Sequence, residues 1–307
     1  MCALFVGAIV YLIFSNVPLL VPIGEVVGPR LVALLPVVIF IMLYITFCKI
    51  QIDDLRPRTW HFILQGIRIA LSGLAVLAVS LTVDPNHKLL WEGVFICVIC
   101  PTAAAAPVIT EKLGGSIASM TVYILIANVV TSIIIPMFFP MVEKNTAITF
   151  MMAFWMVLKR VLAVLVIPLC LALLTRRFLP KVAQWCRERK NLSFYLWSFN
   201  LSIIMGLAFK SIMHAPVSGF TLVMLCTIPL VISVLQFAIG KWVGGFFGDS
   251  ISAGQALGQK NTVVGIWLTL TFLNPYAAIA PCAYVIWQNI INAWQLWYKQ
   301  KYGYLRW

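Results

Sequence analysis

The stretch CPTAAAAP, Cys100 to Pro107, interrupts one long apolar run of this chain, and GQALGQKN, Gly254 to Asn261, interrupts another. In the first, two prolines six residues apart remove helix hydrogen bonds and press on the preceding turn. The alanines between them allow a second backbone to approach closely. In the second, Gly254 and Gly258 stand beside polar residues and Lys260. One interruption falls in the fourth apolar run and the other in the ninth. That is the spacing of two five-helix repeats, each broken in its fourth helix. Matched interruptions of this kind mark the binding site in repeat-built membrane carriers. A kinked helix and a small-residue packing face would explain either stretch alone, but not their matched positions beside a lysine.

Working outward, the composition points the same way. Of 307 residues, 62% are hydrophobic and 10% charged, against roughly 45–50% and about 25% in soluble proteins. Such a chain cannot cover its apolar surface in water, which excludes a soluble enzyme, a disordered chain and a disulfide-stapled domain. An all-α polytopic membrane protein is expected, forming one membrane domain over 1–307 with room for roughly ten spans. Length and breakers place them near 2–17, 31–48, 60–82, 90–112, 116–138, 150–175, 193–212, 218–241, 250–272 and 276–298. The first repeat covers about 1–140 and the second about 146–298.

Loop charges orient the spans. Fourteen cations, from Lys49, Arg56 and Arg58 through Arg176, Arg177 and Lys181 to Lys299, Lys301 and Arg306, fall on one side. Only Arg30, Lys88, Lys144 and Lys210 fall on the other. By the positive-inside rule both termini are cytoplasmic, and a bacterial inner membrane is the expected location. The net charge of +13 therefore reflects membrane orientation and gives no reason to expect nucleic acid. Lys159 and Arg160 are read as snorkelling from an interfacial segment, Ala147 to Leu158. Arg68 and Lys260 lie well inside their spans, where a charge costs at least about 2.5–3.5 kcal/mol and faces a partner or a watery cavity. The eight cysteines are scattered through apolar segments, and Cys97 and Cys100 form a CxxC with no second pair. With three dispersed histidines, no metal site and no cofactor are expected.

At the two interruptions the sequence resembles the bile acid:sodium symporter family. Members carry a Cys-Pro segment in the fourth helix and a Glu-x-Gly-x-Gln-Asn segment in the ninth. The resemblance extends to FCKIQIDDLRPR (Phe47 to Arg58), to the Pro168-containing sixth span ending in Arg176 and Arg177, and to WQN (Trp287 to Asn289) in the tenth. It implies a panel of spans 1, 2, 6 and 7 beside a core of 3, 4, 5, 8, 9 and 10. The broken helices 4 and 9 would cross near the midplane. The family holds sodium with oxygen ligands, and carried over residue by residue this chain lacks them. The Ser-Asn of helix 4 falls on Ala106 and Pro107, and the helix 5 hydroxyls on about Met120 and Ile124. The acid of helix 9 falls on Ala256, its Gln on Lys260, and the helix 3 Gln on or next to Arg68. A fixed ammonium can replace a bound sodium electrostatically while removing the need for it.

The resulting expectation is a secondary transporter of a small organic anion, bile-acid-like or another carboxylate or sterol anion. The substrate and coupling residues are Lys260, Arg68, Gln259, Asn261, Asn289, Thr102, Ala106 and Pro107, with Pro101, Gly254 and Gly258 breaking the helices. Asn261 and Asn289 are read equally as substrate ligands and as helix-packing glue. Lys260 is expected to donate to carbonyls freed at Pro101, Pro107 and Gly258, with Arg68 sharing the cavity. An ordinary sodium symporter is the alternative. A non-transporting membrane protein and an intramembrane enzyme rank lower, since GxSxG, HExxH and paired intramembrane acids are missing. The topology is checked by cysteine accessibility: probes introduced near Arg187 and Lys144 should be labelled from opposite sides of the membrane.

Overall fold

A computed structural model describes residues 2–50, 52–143, 150–161, 165–189 and 191–305, and among them every regular element is helical. In hydrocarbon each backbone N–H and C=O needs an internal partner, so apolar runs of this length resolve into helices. In chain order they are α1 (Cys2–Asn16), α2 (Val21–Phe47), α3 (Thr59–Leu81), α4 (Pro85–Ile99), α5 (Ala106–Leu113), α6 (Ile117–Val142) and α7 (Phe150–Val161). Then follow α8 (Ile167–Phe178), α9 (Pro180–Glu188), α10 (Leu192–Met213), α11 (Gly219–Gly245), α12 (Ser250–Gly258), α13 (Thr262–Phe272) and α14 (Ile279–Tyr302). Five of them, α2, α3, α6, α10 and α11, are long and apolar enough to cross a membrane unaided.

Side-chain caps fix several starts. Asp84, Ser116, Ser218 and Asn261 each accept a hydrogen bond from a backbone N–H in the first turn of α4, α6, α11 and α13. Gly114 closes α5 at φ +83°, a left-handed conformation suited to glycine.

The structure departs from the sequence boundaries in three places. The second helix begins at Val21, so Arg30 lies inside α2 rather than in the loop before it. Pro29 and Pro36 sit within α2 without ending it, as prolines do in membrane helices where other groups take up the freed carbonyls. In the predicted sixth span α8 runs on to Phe178, past the expected end at 175, and Lys159 near the end of α7 is exposed. Residues 147–149 of the expected interfacial segment, and the side chain of Arg160, lie outside the described residues. Finally, Gly254 and Gly258 are helical residues of α12, and the break itself is Gln259 to Asn261. These glycines serve close packing instead. A Cβ on Gly258 would come within 2.3 Å of the Phe237 ring, and one on Gly240 within 2.4 Å of the Ala253 carbonyl oxygen. α11 and α12 can therefore touch backbone to backbone.

The helices pack in two groups. α1, α2, α8 and α10 contact one another, as do α3, α4, α6, α11, α12, α13 and α14. Buried apolar side chains form two main clusters. One joins Trp60, Leu113, Tyr123, Ala253 and Leu257, and the other Phe95, Phe139, Phe272 and Tyr284. α5 and α12 contribute to the first, α4 and α13 to the second. The two breaks lie where those pairs of half-helices meet.

Candidate binding site

Two broken helices leave carbonyls without their helical donors, and each freed group can be followed to its new partner. In an unbroken α4 the carbonyls of Cys97, Val98 and Ile99 would accept from residues 101, 102 and 103. Pro101 has no N–H, and the Cys97 oxygen accepts instead from Gln236 Nε2 of α11 at 3.4 Å. Lys260 Nζ donates to the Val98 oxygen at 3.1 Å. Arg68 Nη1 reaches the Ile99 oxygen at 3.5 Å, and the same guanidinium donates to Thr131 Oγ1 at 2.7 Å and the Ala127 oxygen at 3.0 Å. Both cations thus sit at the C-terminal, electronegative end of α4, where positive charge is favoured. They are 2% and 1% exposed, and among the described residues neither forms an ion pair with a carboxylate.

The second break is completed in the same manner. The Lys260 N–H, which would have closed the turn onto Ala256, donates to Gln288 Oε1 at 2.7 Å, and Gln288 Nε2 returns a bond to the Lys260 oxygen at 3.2 Å. The Ala256 oxygen accepts from Thr102 Oγ1 at 2.6 Å, and the Gly258 oxygen from the Tyr284 hydroxyl at 2.8 Å. Between the breaks the two backbones pair antiparallel at Thr102 and Lys260. The Ala103 N–H donates to the Gln259 oxygen at 3.1 Å and the Asn261 N–H to the Pro101 oxygen at 2.8 Å. Hydrogen bonds to charged groups are worth about 1.5–3 kcal/mol. The crossing is therefore a pinned joint, with Lys260 contributing backbone, side chain and charge.

Beside the joint lies a cavity of about 460 Å³, within the range of small-molecule sites. Its walls are α2 (Leu35, Pro36, Ile39), α10 (Trp197, Asn200, Ile204), α13 (Val263, Trp267), α14 (Val285, Gln288, Asn289) and the first break. Among the predicted site residues Pro101, Thr102, Gln259, Lys260, Asn261 and Asn289 line it. Arg68, Ala106, Pro107, Gly254 and Gly258 do not. The expectation that Arg68 shares the cavity is corrected: its guanidinium is spent on α6 and the end of α4. Of the acceptors expected for Lys260, the Pro101 break supplies one, the Val98 carbonyl. The other two are corrected: the carbonyls freed beside Gly258 go to Thr102 and Tyr284, and Pro107 stands in the first turn of α5, where proline leaves no donor missing.

The remaining polar residues are largely engaged. Asn261 Oδ1 caps α13 through Val264 N–H at 3.2 Å, Asn289 Nδ2 donates back to the Val285 oxygen at 2.7 Å, and Gln259 Nε2 donates to Gln255, which donates to Gln295 at 2.7 Å. Ala106, Ala256, Met120 and Ile124 are buried and offer no side-chain oxygen. The N-terminal ends of α5 and α13 open toward the cavity through Ala103–Ala105 and Asn261–Val263. Helix N-termini carry partial positive charge, so this wall suits an anion. Sequence reasoning missed Gln236, Tyr284 and above all Gln288. Gln288 lies within the WQN motif, whereas Gln236 and Tyr284 gave no signal beyond being polar groups in apolar helices.

A family model described as the Sodium Bile acid symporter family matches residues 36–215, more than half of the chain and including Arg68 and the first break. No curated protein matches.

The joint makes a specific prediction. Lys260→Met keeps most of the volume but strands the Val98 carbonyl, and Gln288→Leu strands the N–H of Lys260, whose carbonyl keeps its bond from the Thr262 N–H. Each should lower the melting temperature of the purified protein, since an unpartnered buried group costs about 1–3 kcal/mol. Asn289→Ala, which removes only a local back-bond, should shift it far less.

Proposed function

The chain belongs to the sodium bile acid symporter family, and from that premise we propose that it is a secondary transporter of small organic anions working without the family's sodium sites. Members of this family are integral membrane transporters rather than enzymes. On this reading ten spans, with both termini cytoplasmic, form two inverted repeats over about 1–140 and 146–298. α1, α2, α8 and α10 are the panel, and the remaining spans are the core. One observation carries the proposal: the buried Lys260 ammonium and Arg68 guanidinium bind the freed Val98 and Ile99 carbonyls. Meanwhile the positions aligned with family sodium ligands hold Ala106, Pro107 and Ala256. Dehydrating a hard cation needs about six replacement oxygens, and these side chains supply none.

The substrate anion is accommodated by the N-terminal ends of α5 and α13 and by the apolar walls of the cavity, with Lys260 in its lining and Arg68 outside it. The cavity runs from the crossing along α13 to Leu270 and along α10 to Leu207. At the other end of α2 the two groups are tied together. Lys49 Nζ binds both carboxylate oxygens of Glu111 on α5, at 2.9 and 3.0 Å, and Lys112 donates to Asn191 at the start of α10. These contacts close the face richer in cations, so alternating access requires them to part.

Two measurements check this reading. Uptake of organic anions into proteoliposomes should be equal in sodium and choline buffers. A tenfold sodium dependence, about 1.4 kcal/mol of coupling, would restore the conventional sodium-coupled symporter. Second, Lys49→Cys with Glu111→Cys, joined by a short bismaleimide in a background lacking the exposed Cys170, should lose transport while each single variant retains it. Undiminished transport by the cross-linked protein would show that this face need not open.

A further inference from the structure

We infer that the corner between α8 and α9 is a docking surface for the phosphate headgroups of anionic phospholipids. α8 ends in Arg176 and Arg177, and after one turn α9 carries Lys181 and Arg187, with Arg189 at its C-terminal cap. A single carboxylate stands among them, Glu188, and it is occupied by Gln184 Nε2 at 2.9 Å. Behind the exposed cations, Arg176 Nη1 is buried with no hydrogen-bond partner, so its charge adds to the patch without an acid to offset it.

The same corner presents a band of large apolar side chains outward. Phe178 is 68% exposed, Leu179 57%, Trp185 47% and Val182 42%, while Ala183 and Cys186 on the adjacent face of α9 are buried against the protein. A corner this exposed would not bare two aromatic rings, one at the end of α8 and one on α9, to water without cause. Two of the cations are set over those rings: the Arg177 guanidinium lies 5.8 Å from the centre of Phe178 and that of Arg189 4.6 Å from Trp185. Apolar bodies inserted at the acyl boundary with guanidinium groups held at their edge are the arrangement of an interfacial helix. The complementary occupant bears negative charge at the level of the headgroups and hydrocarbon just below it. An anionic phospholipid has both, whereas a zwitterionic lipid offers no net charge to several uncompensated cations. The corner lies on the side where the loop cations gather, the side that faces the cytoplasmic leaflet under the positive-inside rule.

None of these residues lines the cavity or touches the crossing, so the inference stands apart from the transport reading. The test uses the full-length protein in a neutral detergent, titrated with phosphatidylglycerol or with phosphatidylcholine and followed by melting temperature and by native mass spectrometry. Wild type should gain several degrees and retain lipid with phosphatidylglycerol but not with phosphatidylcholine, and 0.5 M salt should remove most of the gain. Arg177→Gln, Lys181→Gln and Arg189→Gln together should reduce phosphatidylglycerol retention at least fivefold and leave the lipid-free melting temperature unchanged. Lys181→Gln alone, at an exposed position, should reduce retention measurably and serves if the triple variant does not purify. Equal stabilisation by both lipids, or full retention by the variants, would overturn the assignment.

Discussion

The structure depends on one requirement: carbonyls released where two helices break inside an apolar protein must find donors within the protein. Water is not there to provide them, and an unmet carbonyl at that depth costs several kcal/mol. The end of α4 is met by an arginine and a glutamine from two other helices and by the lysine of the second break, and the end of α12 by a threonine and a tyrosine. Because Lys260 and Thr102 each belong to one break and serve the other, neither half of the crossing can assemble alone. The alanines of the first break, Ala103 to Ala106, let the backbones come close enough to pair, while Gly258 makes room for the Phe237 ring.

Much of this could be read in the sequence. Prolines and polar residues within apolar runs stand out, and both predicted interruptions are breaks in the structure. Long side chains are where the reading failed. An arginine reaches several ångströms in directions its sequence position does not reveal, so Arg68 was expected in the cavity and instead binds α6. Lys260 was expected to reach carbonyls freed at both breaks, and its bond to Val98, a residue 162 positions away, belongs to the first break alone. Gln288 escaped notice because a single amide on a helix near the protein's end looks the same whether it faces lipid, a neighbour or a peptide bond. Arg30 was misplaced because the second span was begun at 31, whereas the helix starts at Val21 and runs on through Pro29 and Pro36; in a bilayer an embedded proline often leaves a helix continuous.

On the proposed reading, the neutral residues at the positions matched to family sodium ligands and the two cations form one arrangement. A bound ion requires oxygens and an acid; a tethered ammonium requires neither, and an acid beside it would close into an ion pair and hold the joint in one arrangement. Ala256 where the family carries an acid and a lysine at position 260 are then consistent with each other. Either alone would leave an unbalanced charge or an unfilled ligand shell.

A cation that is part of the chain also changes how the membrane voltage enters. A released ion carries its charge across and departs, and the field acts on the ion's passage. Lys260 stays with the second break and Arg68 with α3, so any shift of these elements along the membrane normal moves fixed charge through the field. Carrying one elementary charge through the whole of it is worth about 2.3 kcal/mol per 100 mV, and a partial displacement a proportional fraction. The resting potential would then bias which way the empty carrier faces, in the manner of a voltage sensor, before any substrate is bound.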